Sequence, residues 1–179
     1  MANGVDIRGQ YTFVTFTRNG MTYKQASGWL GMPDQVSTYR SSSEQKKVAG
    51  GTGDDAGHLI GNRFGAPGGA VNLSLQNWRA NRCGSYKDLE NAWAAKRKDG
   101  IDIYVQVTDI SRPGEQRPFR RNVQWKERVN GVESPRLELD FANAHTAESR
   151  LAQHIPPTDT GGQDAKIIPV DFVLRRRLD

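Results

Sequence analysis

The sequence is poor in cysteine and histidine and contains no long apolar run. Its one cysteine, Cys83, excludes an internal disulfide and a zinc site built from several cysteines. No run of about 18 apolar residues occurs, so the sequence predicts no membrane-spanning helix and no membrane partner. Residues 1–6 lack the basic and apolar regions of a secretory signal, so no signal peptide is expected. Histidine, the side chain best suited to accept a proton near neutral pH, occurs at three positions: His58, His145 and His154.

The chain is moderately basic. Its 179 residues carry 25 Lys+Arg against 20 Asp+Glu, a formal net charge of +5, and its mean hydropathy is -0.71. This length favours a single domain. Of the cations, 17 are arginine and 8 are lysine. Because the planar guanidinium suits bidentate contact with phosphate, this bias favours an anionic polymer as partner, although an ordinary solvated surface has the same composition.

The first part of the chain predicts a β-hairpin followed by irregular structure. Residues 11–17 are rich in aromatic and β-branched side chains, and Arg18-Asn19-Gly20 is typical of a turn. Residues 27–53 are mostly polar and are interrupted by glycine and serine. For this segment we predict a loop with at most a short strand or turn.

The clearest helix is predicted from about Tyr86 to Lys98. Ser85 is the candidate N-cap, and Gly100 is the candidate stop signal. Apolar side chains recur near the helical period and predict a buried stripe made of Tyr86, Leu89 and Trp93.

Strands are predicted on the C-terminal side of this helix. Residues 101–107 alternate between apolar and polar, and further strands are predicted at 122–129 and 137–141, separated by Asn130-Gly131. These elements together predict an α+β fold with an antiparallel sheet and few helices.

The last residues predict an appendage to this sheet. Residues 156–162 resemble a linker, and residues 167–174 predict an edge strand, because Pro169 cannot donate to a central ladder. The run Arg175-Arg176-Arg177 is predicted to be an exposed tail.

Residues with catalytic chemistry are concentrated in the middle of the chain. His58 lies in a run of glycine and acidic residues, and Asn81 and Glu90 follow it with oxygen ligands of the kind that Mg²⁺ uses. On spacing alone, a histidine beside glycines is more often a hydrogen-bonded structural residue than a catalytic one.

The order of these motifs resembles the DNA/RNA non-specific endonucleases of the ββα-metal (His-Me finger) class. Within that class it is most similar to the subgroup found in streptococcal nucleases of DNA uptake and in bacterial nuclease toxins. The resemblance covers residues 54–143, and we interpret residues 1–179 as one nuclease domain, with N-terminal strands in 1–53 and a C-terminal extension at 144–179 packed on that core. The motifs that carry it are Asp55-x-Gly57-His58-Leu59-Ile60, Phe64-Gly65-Ala66-Pro67-Gly68, Asn72-Leu73 with Gln76, Asn81-Arg82-x-Gly84-x-Tyr86-Lys87-x-Leu89-Glu90, Trp93, Gly100, Arg117-Pro118 and Phe141-Ala142-Asn143.

The resemblance implies a ββα-metal catalytic core and assigns its residues. His58 is implied as the general base that activates water, Asn81 as the direct protein ligand of Mg²⁺, and Glu90 as a carboxylate that holds metal-bound water. Mn²⁺ is expected to substitute for Mg²⁺. The expected products carry 5′-phosphate and 3′-hydroxyl ends.

Other readings of the same residues remain open. Asn81 would instead cap the helix near Tyr86, and Glu90 would be an ordinary exposed helix residue. Asp55 and Gly57 support the motif, with Asp55 orienting backbone rather than contacting substrate. Asn72 and Gln76 are expected to fix the loop that carries Asn81.

Two departures from the family pattern concern the arginine that holds the scissile phosphate, called the phosphate clamp below. Many relatives have arginine where this chain has Ala56, and others have arginine where it has Ala94. The clamp is therefore sought among four other arginines, with Arg82 favoured by its position beside Asn81, although each of them would equally be a solvated surface residue. The four are Arg63, Arg79, Arg82 and Arg97.

The sequence thus predicts a Mg²⁺-dependent, sequence-nonspecific nuclease with DNA or RNA as partner. The alternative is a non-catalytic nucleic-acid-binding module of the same fold. The resemblance to toxins also implies a bacterial effector, exported by a dedicated secretion system or retained in the cytoplasm, with an immunity protein as inhibitor.

Overall fold

The computed structural model describes residues 4–34 and 41–143. The predicted linker at 156–162, the predicted strand at 167–174 and the arginine tail lie outside the described residues, as do His145 and His154.

Three N-terminal strands form an antiparallel meander: β1 Gly4–Arg8, β2 Tyr11–Arg18 and β3 Met21–Trp29. The predicted strand and turn are confirmed. Asn19 and Gly20 have φ angles of 51° and 77°, the left-handed geometry that a tight Asn-Gly hairpin turn requires. The loop predicted from residue 27 is wrong at its start, because β3 continues to Trp29.

Helix α1, Ser42–Ala49, is a second correction to that predicted loop. None of its residues is buried, so it has no apolar stripe for hydrophobic periodicity to reveal. Its ends are set by caps. The Ser41 side chain accepts from the Glu44 backbone N–H at 3.3 Å, and Gly50 closes the helix in the left-handed conformation with φ 55°.

A β-β-α unit follows α1. It consists of β4 Asp55–His58, β5 Leu73–Gln76, α2 Trp78–Cys83 and α3 Ser85–Lys98. Strands β4 and β5 pair antiparallel, with His58 opposite Leu73. Between them the chain makes two short 3₁₀ turns, Asn62–Phe64 and Ala70–Asn72.

Capping in this unit differs from the prediction. Helix α2 was not expected, and it begins where the Asn77 side chain accepts from the Arg79 backbone N–H at 3.0 Å. Helix α3 confirms the predicted helix, but its N-cap is Gly84, while Ser85 is its buried first residue. Gly100, with φ 83°, confirms the predicted stop.

The large sheet is completed by β6 Asp102–Ser111, β7 Arg120–Val129, β8 Val132–Glu133 and β9 Leu137–Ala142. Its order is β1-β2-β3-β6-β7-β8, with β9 also beside β7, and its strand pairs are antiparallel. The predicted strands in this region are confirmed, and β6 extends past its predicted end. The α+β fold class is therefore confirmed.

The core lies between the large sheet and the β-β-α unit. The Trp93 ring of α3 meets Trp125 of β7 at 5.9 Å between centroids, and Tyr86 meets Phe141 of β9 at 5.6 Å. Tyr86, Leu89 and Trp93 are buried, which confirms the predicted stripe. The β-β-α unit is thereby held on one face of the sheet. No helix within the described ranges is long and apolar enough to cross a membrane.

Candidate active site

His58 lies at the end of β4 and is half-buried. Its backbone carbonyl accepts two hydrogen bonds of 3.2 Å, one from Gln76 Nε2 and one from Arg121 Nη1. Since Gln76 belongs to β5 and Arg121 to β7, the main chain at His58 is fixed from both sheets. Gln76 therefore supports His58 directly, rather than the loop that carries Asn81.

A buried ion pair lies between the sheet and the β4–β5 hairpin. Arg121 donates to both carboxylate oxygens of Asp109 at 2.7 Å, and Ser74 donates to Asp109 as well. The guanidinium carbon of Arg121 stands 4.6 Å from the centre of the Tyr86 ring. Burial alone would lower the pKa of Arg121, but attraction and hydrogen bonding from Asp109 raise it. Arg121 therefore remains charged beneath the histidine.

Asn72 holds the chain that leaves His58. Its buried side chain accepts from the Ile60 backbone N–H at 3.0 Å and donates to the Ile60 and Pro67 carbonyls at 2.8 Å each. These contacts fix residues 59–67 after β4 rather than the loop before α2, so the predicted target of Asn72 is wrong. Asn72 itself is fully buried, with a relative exposure of 0%.

The amide of Asn81 is oriented by a carboxylate. Asn81 Nδ2 donates to Asp55 Oδ2 at 3.0 Å, and Arg82 donates to both Asp55 oxygens at 2.6 and 2.7 Å. Hydrogen bonding from Arg82 lowers the pKa of Asp55, so this carboxylate stays ionised and continues to accept. Asn81 lies inside α2, and the N-cap of the helix near Tyr86 is Gly84, so capping of that helix does not explain Asn81.

Gly57 leaves space against the Asn81 oxygen. A Cβ atom at position 57 would lie 2.5 Å from Asn81 Oδ1 and 2.4 Å from the end of Gln76. Because Asp55 takes the amide nitrogen, the oxygen of Asn81 is the atom directed at this glycine. The arrangement suits a neutral oxygen ligand in an open position.

Glu90 is buried rather than exposed, with a relative exposure of 8%. Its Oε1 accepts from the Gly61 backbone N–H at 3.1 Å. Burial raises the pKa of Glu90, while the charges of Lys87 and Arg121 oppose this rise. A Cβ at position 61 would lie 2.8 Å from Glu90 Oε1, so glycine is needed for this close approach.

These residues open onto one cavity of about 860 Å³. The structure therefore brings together seven of the predicted residues, whereas Asn72 and Gln76 are not among the described lining residues. The seven are Asp55, Gly57, His58, Arg63, Asn81, Arg82 and Glu90.

Two of the four candidate arginines are not among the described residues that line this cavity. Arg79 lies over the Trp78 ring at 5.0 Å. Arg97 donates to Asp102 at 2.5 Å and to the Ile101 carbonyl at 2.9 Å, and its side chain is 12% exposed. Arg97 therefore stabilises the junction between α3 and β6, which its sequence position on a basic helix end did not reveal.

Some residues at the site are missed by sequence reasoning. Ser42, Gln45 and Lys46 of α1 line the cavity, and the signal for that helix is the capping-box spacing from Ser41 to Glu44. The signal for the buried ion pair is weaker. Asp109 follows the inward apolar residues Val105 and Val107 of β6, and Arg121 precedes the inward residues Val123 and Trp125 of β7.

Within residues 4–34 and 41–143, no group of three or more His, Cys, Asp or Glu side chains could hold a metal ion. A metal at this site would therefore depend on the amide oxygen of Asn81 and on water, the ligand set that Mg²⁺ accepts most readily.

His58, Asn81 and Glu90 thus reach one polar cavity from the β-β-α unit. A sequence model described as DNA/RNA non-specific endonuclease matches residues 8–129. That match spans more than half of the 179 residues, and the chain belongs to the DNA/RNA non-specific endonuclease family. The match begins well before Asp54, so it includes strands β2 and β3, which the motif resemblance omitted.

Among solved structures, the chain is similar to one chain in the crystal structure of an EndoG/EndoGI complex. The identity is 12% and the TM-score 0.47, over 78% of this chain and 74% of that chain. No curated protein matches this chain in sequence.

Proposed function

We propose that this protein is a Mg²⁺-dependent endonuclease that hydrolyses DNA, RNA or both without sequence preference. The observation that carries the proposal is the convergence of His58, Asn81 and Glu90 on one cavity. They come from β4, α2 and α3, and family membership supports nuclease chemistry for them.

His58 is the general base in this proposal. It accepts a proton from water as the water oxygen bonds to phosphorus. The bond from phosphorus to the 3′ oxygen breaks, and the 3′ oxygen takes a proton from solvent water. The products then carry 5′-phosphate and 3′-hydroxyl ends. A positioned base of this kind contributes about 10²–10⁴-fold to the rate. The two hydrogen bonds to the His58 carbonyl fix its backbone for this task.

Asn81 and Glu90 are the residues that would hold Mg²⁺, with Mn²⁺ as an expected substitute. Asn81 would contribute Oδ1, because Asp55 binds its nitrogen, and Glu90 would act through water. When bound, the ion stabilises negative charge on the phosphate and on the leaving oxygen. Asp55 is a positioning residue, since it sets which Asn81 atom faces Gly57.

Arg63 and Arg82 remain candidates for the phosphate clamp because they line the cavity. Arg82 is bound by Asp55 through both oxygens, so clamping by Arg82 requires it to exchange a carboxylate for a phosphate.

The test compares the wild type with His58→Ala on plasmid DNA and on total RNA, each with Mg²⁺ and with EDTA. We expect wild-type cleavage that EDTA stops and Mg²⁺ restores, and no cleavage by the variant, with matched circular dichroism spectra for both proteins. Full activity in His58→Ala would refute the assigned base. Salt-sensitive DNA binding by the wild type without cleavage would instead favour a non-catalytic binding module.

We propose further that the protein acts as a bacterial effector with a dedicated immunity protein, exported by a secretion system or retained in the cytoplasm. The support is the resemblance of the motifs to those of nuclease toxins. Expression of the wild type in bacteria should reduce viability, and expression of His58→Ala should not. Co-expression with the product of a neighbouring gene should restore growth, and equal survival of both strains would contradict the effector role.

A further inference from the structure

Four cations line the cavity, but the two arginines already have anionic partners. Arg82 binds Asp55 through two hydrogen bonds, and Arg63 lies 3.5 Å from Asp34. Arg63 also donates to Asn91 at 2.8 Å. Contact between either guanidinium and a phosphate therefore requires the loss of an existing ion pair. The remaining two cations are Lys46 and Lys87.

Lys87 is close enough to Glu90 for its charge to affect that carboxylate, where it opposes the rise in the Glu90 pKa. Part of the electrostatic effect of Lys87 is therefore exerted on Glu90, a residue of the site. Lys46 differs, because its side chain is exposed and no ion pair involves it within the described residues. It is thus a lining cation, more exposed than Lys87, that a phosphate can reach without displacing a carboxylate.

Helix α1 presents one continuous face to the cavity. The lining residues Ser42, Gln45, Lys46 and Ala49 follow the i, i+3, i+4, i+7 spacing that places side chains on one side of a helix. This face is polar and carries a positive charge, which suits a hydrated, anionic chain. Gln45 Nε2 lies 3.5 Å from the Ala56 carbonyl of β4, which places this face beside the strand that ends at His58.

The neighbouring lysine provides a comparison on the same helix. Lys47 is not among the described lining residues, its side chain is 75% exposed, and it pairs with Glu44 at 3.4 Å. One residue of helix rotates a side chain by about 100°, so Lys46 and Lys47 point in different directions. They carry equal charge at adjacent positions of the same helix.

We propose that α1 is a nucleic-acid-binding wall of the cleft and that Lys46 contacts a backbone phosphate of the bound strand. This inference rests on the proposed nuclease function, and it adds a substrate contact that the four arginines do not supply. A contact of this kind is independent of base identity.

The test measures DNA binding as a function of salt in proteins that cannot cleave. His58→Ala, His58→Ala/Lys46→Ala and His58→Ala/Lys47→Ala are titrated with a short labelled duplex in Mg²⁺ over a range of NaCl concentrations. The slope of log K against log salt is negative, and loss of one phosphate contact reduces its magnitude by about 0.9. We expect that decrease for Lys46→Ala and an unchanged slope for Lys47→Ala. Circular dichroism of each variant verifies that its helix content is unchanged and that α1 remains folded.

The outcomes separate this inference from the proposed function. Equal slopes for the Lys46 and Lys47 variants would overturn the contact, because only general charge would then matter. Wild-type protein without Mg²⁺-dependent cleavage would refute the nuclease proposal whatever the slopes. Lys46→Ala on the wild-type background should raise KM more than it lowers kcat, and the reverse pattern would also overturn a binding role.

Discussion

Gly57→Ala places one methyl group against the side chains of Asn81 and Gln76. The added Cβ would lie 2.5 Å from Asn81 Oδ1 and 2.4 Å from Gln76 Cδ and Nε2. Real Cβ contacts essentially never fall below 3.0 Å, so Asn81 must move by about 3.0 − 2.5 = 0.5 Å and Gln76 by about 0.6 Å. Both side chains are held by hydrogen bonds, Asn81 to Asp55 and Gln76 to the His58 carbonyl.

The expected cost has a structural and a functional part. Overpacking of this kind destabilises by about 1–3 kcal/mol, which lowers Tm by roughly 2–12 °C for a chain of this size. Misplacement by 1 Å can reduce catalysis by about 100-fold, so we expect a loss of roughly 10- to 100-fold in kcat and a raised Mg²⁺ requirement. Thermal unfolding and plasmid cleavage at several Mg²⁺ concentrations measure both parts.

Gly69→Ala is the matched control. Its φ is -82°, and a Cβ there would meet nothing within 4 Å, so it should behave as the wild type in both assays. If Gly57→Ala kept the wild-type Tm and the wild-type Mg²⁺ dependence, the close approach of Asn81 to position 57 would have no part in holding the ion.

Further predictions concern charge. Glu90→Gln removes the buried carboxylate whose pKa is raised. The folded wild type loses stability as pH rises above the unfolded pKa of about 4.3 and through the raised folded pKa. In urea unfolding, the free energy of unfolding of the variant should therefore increase relative to that of the wild type from pH 5 to pH 8. An equal difference at both pH values would contradict this, and plasmid cleavage should fall in the variant. Arg121→Met leaves Asp109 charged and buried, which should cost about 3–5 kcal/mol in urea unfolding, with part of the loss recovered in Arg121→Met/Asp109→Asn; no recovery would show that the two charges are not coupled. Arg97→Ala should lower Tm because the hydrogen bond from Arg97 to Asp102 is lost. The slope of log K against log salt for DNA binding should stay unchanged. A slope smaller in magnitude by about 0.9 would instead show that Arg97 contacts a phosphate.

Features encoded over short stretches could be predicted from the sequence. The Asn19-Gly20 turn, the α3 stripe with its Gly100 stop, and the alternation in β6 are all visible within one element and its neighbours. Their signals are local because turn geometry, capping and side-chain periodicity depend on residues a few positions apart. The motif around His58 also lies within a single run of the chain.

Helix α1 shows where local reasoning fails. It carries no buried residue, so the hydrophobic pattern that marks α3 is absent from it, and only its caps distinguish it from a loop. The side of α1 that faces the cavity became apparent when the fold set Gln45 beside the Ala56 carbonyl. The sequence alone placed Lys46 in a polar segment with no known neighbour.

The sequence by itself determined the family, the strands β2, β6, β7 and β9, and the identity of His58, Asn81 and Glu90 as site candidates. Only the tertiary structure decided their surroundings: the burial of Glu90, the Asp55 carboxylate that orients Asn81, and the Arg121 guanidinium beneath His58, 63 positions away in the chain. The physical reason is that burial and ion pairing depend on groups brought together from distant segments, and a charge has no fixed role until its neighbours are placed.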